Sequence, residues 1–412
     1  MTAGPDSATD LETYRARARD WVAKNLTRAA RQSDSVRGRE TGDYIAAQRA
    51  FQHRLHEAGW TGIDIAAEYG GQGLTPAHAA AFAEEARGHT LPDFGILSLV
   101  TFGIALPTIL ATCAEGFKKR HVPRILAGQE LWCQLLSEPG AGSDLAGILT
   151  KATRDADTWI VNGTKVWSSG ASFADFGLCI TRTDWDAPKH SGLTWLALPL
   201  HAPGVTVRPI QELNGGWEFC EVFLDDVIVD ADEVMGGVNE GWSFTHTMLV
   251  FERGALRGTK TEIPTALAPD LVAAATERDV LGDSHIRQLI GTAHVYDVVR
   301  AALVQRMEAV MRTEPGAGNL ASYLKLAKGI YDPLRARIGM EVADESAIAF
   351  EPGSRGAAIA TDYLNCRVQS IAGGSNEMQR NGIAEKILGL PRELNVEKGK
   401  PFRQVQAEAR KW

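Results

Sequence analysis

The hydrophobic period of this chain changes twice, and the two changes set its layout. Up to residue 130 the apolar positions recur at helical spacing. Leu11, Tyr14, Ala18, Trp21, Val22 and Leu26 make one stripe, and Ile45, Gln48, Phe51, Leu55 and Ala58 make a second that stops at Gly59. Thr75 and Pro76 then supply a cap and first-turn pair for an Ala-rich helix running to about His89. From Leu131 the pattern alternates in short runs divided by Gly, Pro and Asp, which is the spacing of strands. After Gly236 the helical spacing returns. Helices, strands and helices in separate blocks define an α+β chain. It divides into an N-terminal α-helical domain at 1–130, a middle antiparallel β domain at 131–237 and a C-terminal four-helix bundle at 238–412.

Within the β block, TWIVNGTKVW carries Asn162-Gly163 between two alternating runs, so a hairpin turn is expected there. Further strands are expected at 177–181, 193–198, 205–209 and 218–224. Helices are expected at 241–256, 285–312 and 322–348, the last interrupted in its pattern by Pro333. The segment 259–282 reads as a mobile crossover between them. Long antiparallel helices joined this way suggest the bundle.

A chain of 412 residues is too long for one simple core. Its 44% hydrophobic and 23% charged residues are those of an ordinary soluble protein. A net charge of -8 argues against a nucleic-acid partner, because phosphate binding needs a basic face. Cys113, Cys133, Cys179, Cys220 and Cys366 are odd in number and widely spaced, without C-x-x-C pairs, so a reduced chain with no structural metal is expected. Residues 1–10 are polar and lack an apolar export core, which reads as a cytoplasmic protein with a loose tail. The run 94–114 has no charge and is long enough for a bilayer. Gly95, Ser98, Thr101, Gly103, Pro107, Thr108 and Thr112 favour instead two buried helices broken near Pro107, and no membrane span.

The stretch 131–147, LWCQLLSEPGAGSDLAG, is the densest in special chemistry, with an acid on either side of its turn. Trp132, Gln134 and Leu136 alternate with Cys133 and Leu135 as in a buried strand. Pro139, Gly140 and Gly142 force a turn where the Ser137 and Ser143 hydroxyls can approach a polyphosphate or a flat polar ring. As a dinucleotide fingerprint GAGSD is weak, since it lacks a third glycine and a parallel β-α-β setting; GGQG at 70–73 fails likewise. A nicotinamide-dependent Rossmann enzyme is disfavoured.

SEPGAGSD, NGTKVWSSGASFADF and IAGGSNEMQRNGIAEKILGLPRE, in that order, resemble the acyl-CoA dehydrogenase family. The resemblance extends from HEAGWTGIDIAAEYGGQG in the first lobe to GLPRE near the end. It implies FAD held between the β domain and the bundle, and removal of two hydrogens from Cα and Cβ of an acyl thioester. Leu135 and Ser137 fall at flavin-contacting positions, Ser137 offering a hydroxyl to the pyrimidine side. Trp167 would cover the ring, and Ser169 would bond near its N5. Trp167 alone reads equally as a core tryptophan; with Ser169 two residues on, both would lie on one face of a strand. Gly142 and Ser143 would contact FAD phosphate or the polar part of the thioester ligand.

The family's reaction also needs a base for the Cα proton. Many members carry it in a Tyr-Glu-Gly-Thr run, but here the matching residues are Ala372, Gly373, Gly374 and Ser375, and Gly373 cannot act as a base. Isovaleryl-CoA-type members place it on the first bundle helix in a Glu-Arg pair, which Glu252 and Arg253 match. An apolar setting for Glu252 would raise its pKa toward the working range; unaided by the resemblance, it reads as a surface or salt-bridged helix glutamate. Gly373 retains a backbone N–H that would polarise the thioester carbonyl. The small Ala372 and Gly373 leave volume for a bulky or branched acyl group. Ser375 and Glu377 match adenosine-side positions, with Asn376 capping the final helix; plain N-capping explains them equally well. Arg253 resembles an arginine near the CoA end, and pairs equally well with Glu252.

Two family features are missing. Arg-x-x-Phe-Gly is replaced by TERDVLGDSHIRQ, where Arg278 is a loose match, and EPGSRGAAIATDYLNC replaces Gln-x-x-Gly-Gly. The pattern resembles actinobacterial members, some of which form α2β2 assemblies for sterol side-chain breakdown. The resemblance implies electron-transferring flavoprotein as acceptor, and either a homo-oligomer (dimers of dimers) or a hetero-oligomer with a homologous chain. Two alternatives remain: a non-catalytic or half-site subunit, and a flavin monooxygenase on the same fold.

Overall fold

The protein is seen in a computed structural model that describes residues 10–29, 40–255, 262–314 and 317–409, with the backbone only of 253–255, 312 and 317. By contact density the chain forms two units. The first comprises Met1–Glu212, Gly216–Ala255 and Glu397–Trp412; the second comprises Leu213–Gly215 and Leu256–Val396.

The first unit opens with helices α1 (Leu11–Asn25), α2 (Gly42–Glu57) and α3 (Pro76–Glu85). The α1 stripe buries Tyr14, Ala18 and Val22 in a core shared with Trp60 and Phe82, whose rings stack at 4.9 Å. The uncharged run that follows is continuous, not two helices broken near Pro107. It consists of α4 (Ile96–Ser98), a π-helical segment (Leu99–Ala105) and α5 (Leu106–Thr112). The Leu106 N–H reaches back five residues to the Thr101 carbonyl. That wider turn lets Pro107 sit in the first turn of α5, where its missing N–H breaks nothing. No helix among the described residues is long and apolar enough to cross a membrane. Helix α6 (Glu115–Leu126) leads into the sheet.

Eight strands follow: β1 (Trp132–Leu135), β2 (Lys151–Asp155), β3 (Thr158–Lys165), β4 (Phe176–Arg182), β5 (Leu193–Pro199), β6 (Val205–Pro209), β7 (Cys220–Asp230) and β8 (Val234–Met235). Their order is β6-β7-β3-β2-β4-β5-β8, with β1 beside β4. The sheet is largely antiparallel as expected, but β1 runs parallel to β4. The Asn162-Gly163 hairpin is a misreading. β3 passes straight through it, and the turn lies earlier, at Ala156 in the left-handed region with φ 48°. Asn162-Gly163 instead marks a shift of register against β7, where the Asn162 amide and Asp226 exchange two hydrogen bonds of 2.9 Å. A Cβ at Gly163 would lie 2.4 Å from Thr150 Oγ1, so glycine answers a close approach there, not a reversal.

Helix α7 (Gly241–Ala255) packs on β5 and on the π-helical segment, and so belongs by contact to the first unit. Its expected last residue, 256, lies outside the described residues.

The second unit holds α8 (Pro269–Glu277), α9 (Ser284–Thr313), α10 (Ala321–Ala343), α11 (Glu345–Ile348), α12 (Arg355–Asn365), α13 (Val368–Ile371) and α14 (Asn376–Lys386). Part of the expected crossover 259–282 is thus helical, while 259–261 lie outside the described residues. α10 is the hub and packs on α8, α9, α12, α13 and α14. Pro333 does not interrupt it. The carbonyl that Pro333 cannot serve, that of Gly329, accepts from Ser370 Oγ at 2.8 Å and Asn376 Nδ2 at 3.2 Å. The helix ends instead at Asp344, φ 49°. The last helix, α15 (Phe402–Ala409), returns to the first unit, burying Phe402 against Trp185 with the Arg182 guanidinium 3.9 Å above its ring.

Candidate active site

Alternation along β1 decides what faces α7. Leu131, Cys133 and Leu135 enter one core, whereas Trp132 and Leu136 pack into another that contains Phe244 and Met248 of α7. Gln134 lies on this second face, a polar residue between two apolar ones. On α7, Phe244, Met248 and Glu252 fall at successive steps of four, so Glu252 continues the core-facing stripe while Val250 points outward. The two meet: Gln134 Nε2 donates to Glu252 Oε2 at 3.0 Å and lies 3.8 Å from Met248 Sδ. Glu252 is half-buried. Its setting is therefore not purely apolar, as the sequence reading supposed, but includes an amide donor. The missed signal was a glutamine on an apolar strand face. The Arg253 side chain lies outside the described residues.

After β1 the chain folds into the SEPGAGSD loop, where Glu138 and Ala141 exchange backbone hydrogen bonds of 2.9 and 3.0 Å. Glu138 is buried. It accepts from the Leu149 and Thr150 N–H groups at 2.6 and 2.8 Å and from Lys165 Nζ at 3.0 Å. Burial pushes its carboxyl up, yet Lys165 and these donors hold it below the usual range. Lys165, fully buried, also donates to the Leu136 and Ile180 carbonyls. Asp144 pairs with Lys189 at 2.7 Å, and Lys189 reaches Glu397 ahead of α15 at 3.1 Å. At Gly140 and Gly142 an added Cβ would meet nothing within 4 Å, so this side of the loop is open. Ser143 is exposed and Leu135 wholly buried, leaving Leu135 only its backbone for a ligand.

The Val166 N–H donates to the Ser137 carbonyl at 2.9 Å and so sets Trp167 beside the loop. The strand argument for Trp167 and Ser169 fails, because β3 ends at Lys165 and Trp167 takes a left-handed φ of 62°. Ser168 then exchanges hydrogen bonds with Cys220, and Ser169 begins a turn. The Trp167 indole is 59% exposed, edge-on to Phe219 at 5.7 Å. It is not a core tryptophan. A large flat apolar face in a left-handed backbone, next to a hydroxyl and an open glycine loop, has the shape and chemistry to receive a planar polar heterocycle such as flavin.

In the second unit Gly373 and Gly374 both have positive φ, 66° and 89°, and Gln379 Nε2 donates to both carbonyls at 3.2 Å. Ser375, not Asn376, caps α14, accepting from the Met378 N–H at 3.3 Å. Asn376 is the residue that serves Gly329. Glu377 is exposed; its own backbone N–H and the Ser375 hydroxyl lower its carboxyl pKa, and Arg380 lies 3.5 Å away. Arg278 is committed within its unit, to the Val342 carbonyl at 2.6 Å and Asp344 at 2.8 Å.

The description "Acyl-CoA dehydrogenase, N-terminal domain" matches residues 8–129, and "Acyl-CoA dehydrogenase, middle domain" matches 133–227. Acyl-CoA dehydrogenase IpdE1 of Mycobacterium tuberculosis (strain ATCC 25618 / H37Rv) is 37% identical over 93% of this chain and 99% of its own length. The chain belongs to the acyl-CoA dehydrogenase family. Members are FAD-dependent oxidoreductases acting on the CH–CH bond of acyl-CoA thioesters. Among solved structures, the Tcur3481-Tcur3483 steroid ACAD aligns with a TM-score of 0.74 and 28% identity, covering 95% of this chain and all of that one. The ChsE4-ChsE5 complex from Mycobacterium tuberculosis aligns at 0.66 and 25%, covering 94% and 100%. This acyl-CoA dehydrogenase-family chain therefore shares its fold with assemblies named for two different components.

Proposed function

We propose that the chain desaturates a bulky or branched acyl-CoA thioester to the 2-enoyl-CoA, with Glu252 as the base. The observation that carries this is the placement of Glu252: an acid on the core-facing stripe of α7, half-buried and held by Gln134. Bound FAD would accept the hydride from Cβ. Glu252 would take the Cα proton, and the Gly373 N–H would donate to the thioester carbonyl. Leu135 through its backbone, Ser137, Trp167 and Ser169 would line the flavin. Gly142 and Ser143 would meet a phosphate or the thioester ligand, Arg253 the CoA end, and Ser375 and Glu377 the adenosine half. The acceptor would be an electron-transferring flavoprotein, and the setting cytoplasmic.

The test is the visible spectrum of the purified chain under anaerobic titration with butyryl-CoA, isobutyryl-CoA, cyclohexane-1-carbonyl-CoA and a steroid-side-chain acyl-CoA. A flavin band that bleaches, fastest with the bulky thioesters, is the expected result. Glu252→Gln should bind FAD and lose about 10²- to 10⁴-fold in turnover; normal turnover in that variant ends the reading.

A half-site role in a hetero-oligomer is favoured by one observation, that Arg278, the loose match to the arginine of the family's Arg-x-x-Phe-Gly run, is spent on Val342 and Asp344. Colourless protein that gains flavin and mass only when co-expressed with a homologous chain would establish that role.

A further inference from the structure

We infer that Gln134 is a positioning residue for Glu252, an inference that rests on the reading of Glu252 as the base. β1 has every reason to be apolar on this face: Trp132 is wholly buried and Leu136 packs into the same core. A glutamine there places a polar amide against a packed helix, which is unfavourable unless the amide is used. Its Nε2 has two neighbours on α7, the Met248 thioether at 3.8 Å and the Glu252 carboxylate at 3.0 Å. A thioether is a weak acceptor, so the carboxylate is the partner that satisfies the amide.

The geometry makes the amide an orienting device. β1 is fixed by its parallel register with β4, Gln134 opposite Leu178, and the Trp132 N–H is tied to Thr101 Oγ1 at 2.9 Å. α7 is fixed at its start, where Trp195 Nε1 donates to the Gly241 carbonyl at 2.9 Å and Thr245 Oγ1 at 3.1 Å. Glu252 lies near the far end of α7, eleven residues on from Gly241, and the three side-chain torsions of a glutamate offer its carboxylate several positions. The Gln134 bond holds one carboxylate oxygen to the sheet and so selects one rotamer. Pre-setting the rotamer of a base places its reacting oxygen before the substrate arrives.

The test is a double-mutant cycle in FAD-loaded protein, using the same four thioesters and a ferrocenium acceptor. Gln134→Met keeps the volume and removes the donor; Gln134→Asn keeps an amide but draws it back by one methylene. Either should lower kcat about 10- to 100-fold, the worth of a hydrogen bond to a charged group, with KM nearly unchanged. In a Glu252→Gln background the same changes should have no further effect, because the group they act through is already gone. If Gln134→Met folds poorly, by flavin content and melting temperature, Gln134→Asn carries the cycle. Full kcat in the Gln134 variants, or equal losses with and without Glu252, overturns the positioning role and leaves the base in place. Normal turnover in Glu252→Gln, or a wild-type flavin that none of the thioesters bleaches, overturns the base itself.

Discussion

Glu138 and Glu252 are two glutamates of one unit with opposite relations to their sequence surroundings. Glu138 sits in the motif richest in glycine, serine and acid, yet it is a buried strut, neutralised by Lys165 and two backbone N–H groups. Glu252 sits in the plain helical run LVFERGAL, yet it is the acid held by an amide donor on the stripe facing the sheet. Density of polar residues thus marks a loop that must be braced. A charge placed against the local apolar pattern marks where chemistry is proposed.

The contrast breaks most readily at Lys165. Lys165→Met should leave the buried Glu138 charge without its counter-ion and destabilise the first unit by about 3–5 kcal/mol, while Lys165→Met with Glu138→Gln should recover part of it, because the neutral amide oxygen can still accept from the Leu149 or Thr150 N–H. Chemical denaturation of both variants checks this; a single variant as stable as wild type would mean that Glu138 is no strut.

A second braced site sharpens the comparison by its pH dependence. His121 is buried between Glu130 at 2.8 Å and Glu233 at 3.0 Å. Burial disfavours its charged form, but the bonds to Glu130 and Glu233 prevail and raise its pKa above the ordinary 6.5. The stabilisation is therefore complete below pH 6.5 and decays as pH rises through the folded value. Melting temperature should fall on going alkaline in the wild type, and this fall should flatten in His121→Gln.

The smallest effect is expected at the motif's other acid. Asp144 is 59% exposed in its pair with Lys189, so Lys189→Met should cost at most about 1 kcal/mol despite removing the link to Glu397 as well. A loss near that of Lys165→Met would erase the distinction between the motif's inner and outer acids.

The block order, the α1 stripe and most strands were legible because they depend on local period. Two of the misreadings, at Asn162-Gly163 and at Pro333, involve a partner distant in sequence, whereas that at Pro107 turns on a local change of helix type. Asn162-Gly163 becomes a bulge because Asp226 and Thr150 lie across it. Pro333 is tolerated because Ser370 and Asn376 take the carbonyl it strands, and Pro107 because a π turn precedes it. At the candidate site, Glu252 came from family register and not from pattern. Gln134 was visible only as an ordinary alternating residue until the strand and helix were brought face to face.

Trp167 lies in a backbone region that a bulky L-residue enters at a cost of about 1–3 kcal/mol, and glycine enters freely. Selection for thermal robustness alone would replace that indole with glycine. Laboratory evolution of this chain for melting temperature, with turnover ignored, should therefore discard Trp167 early, and selection for turnover should restore it.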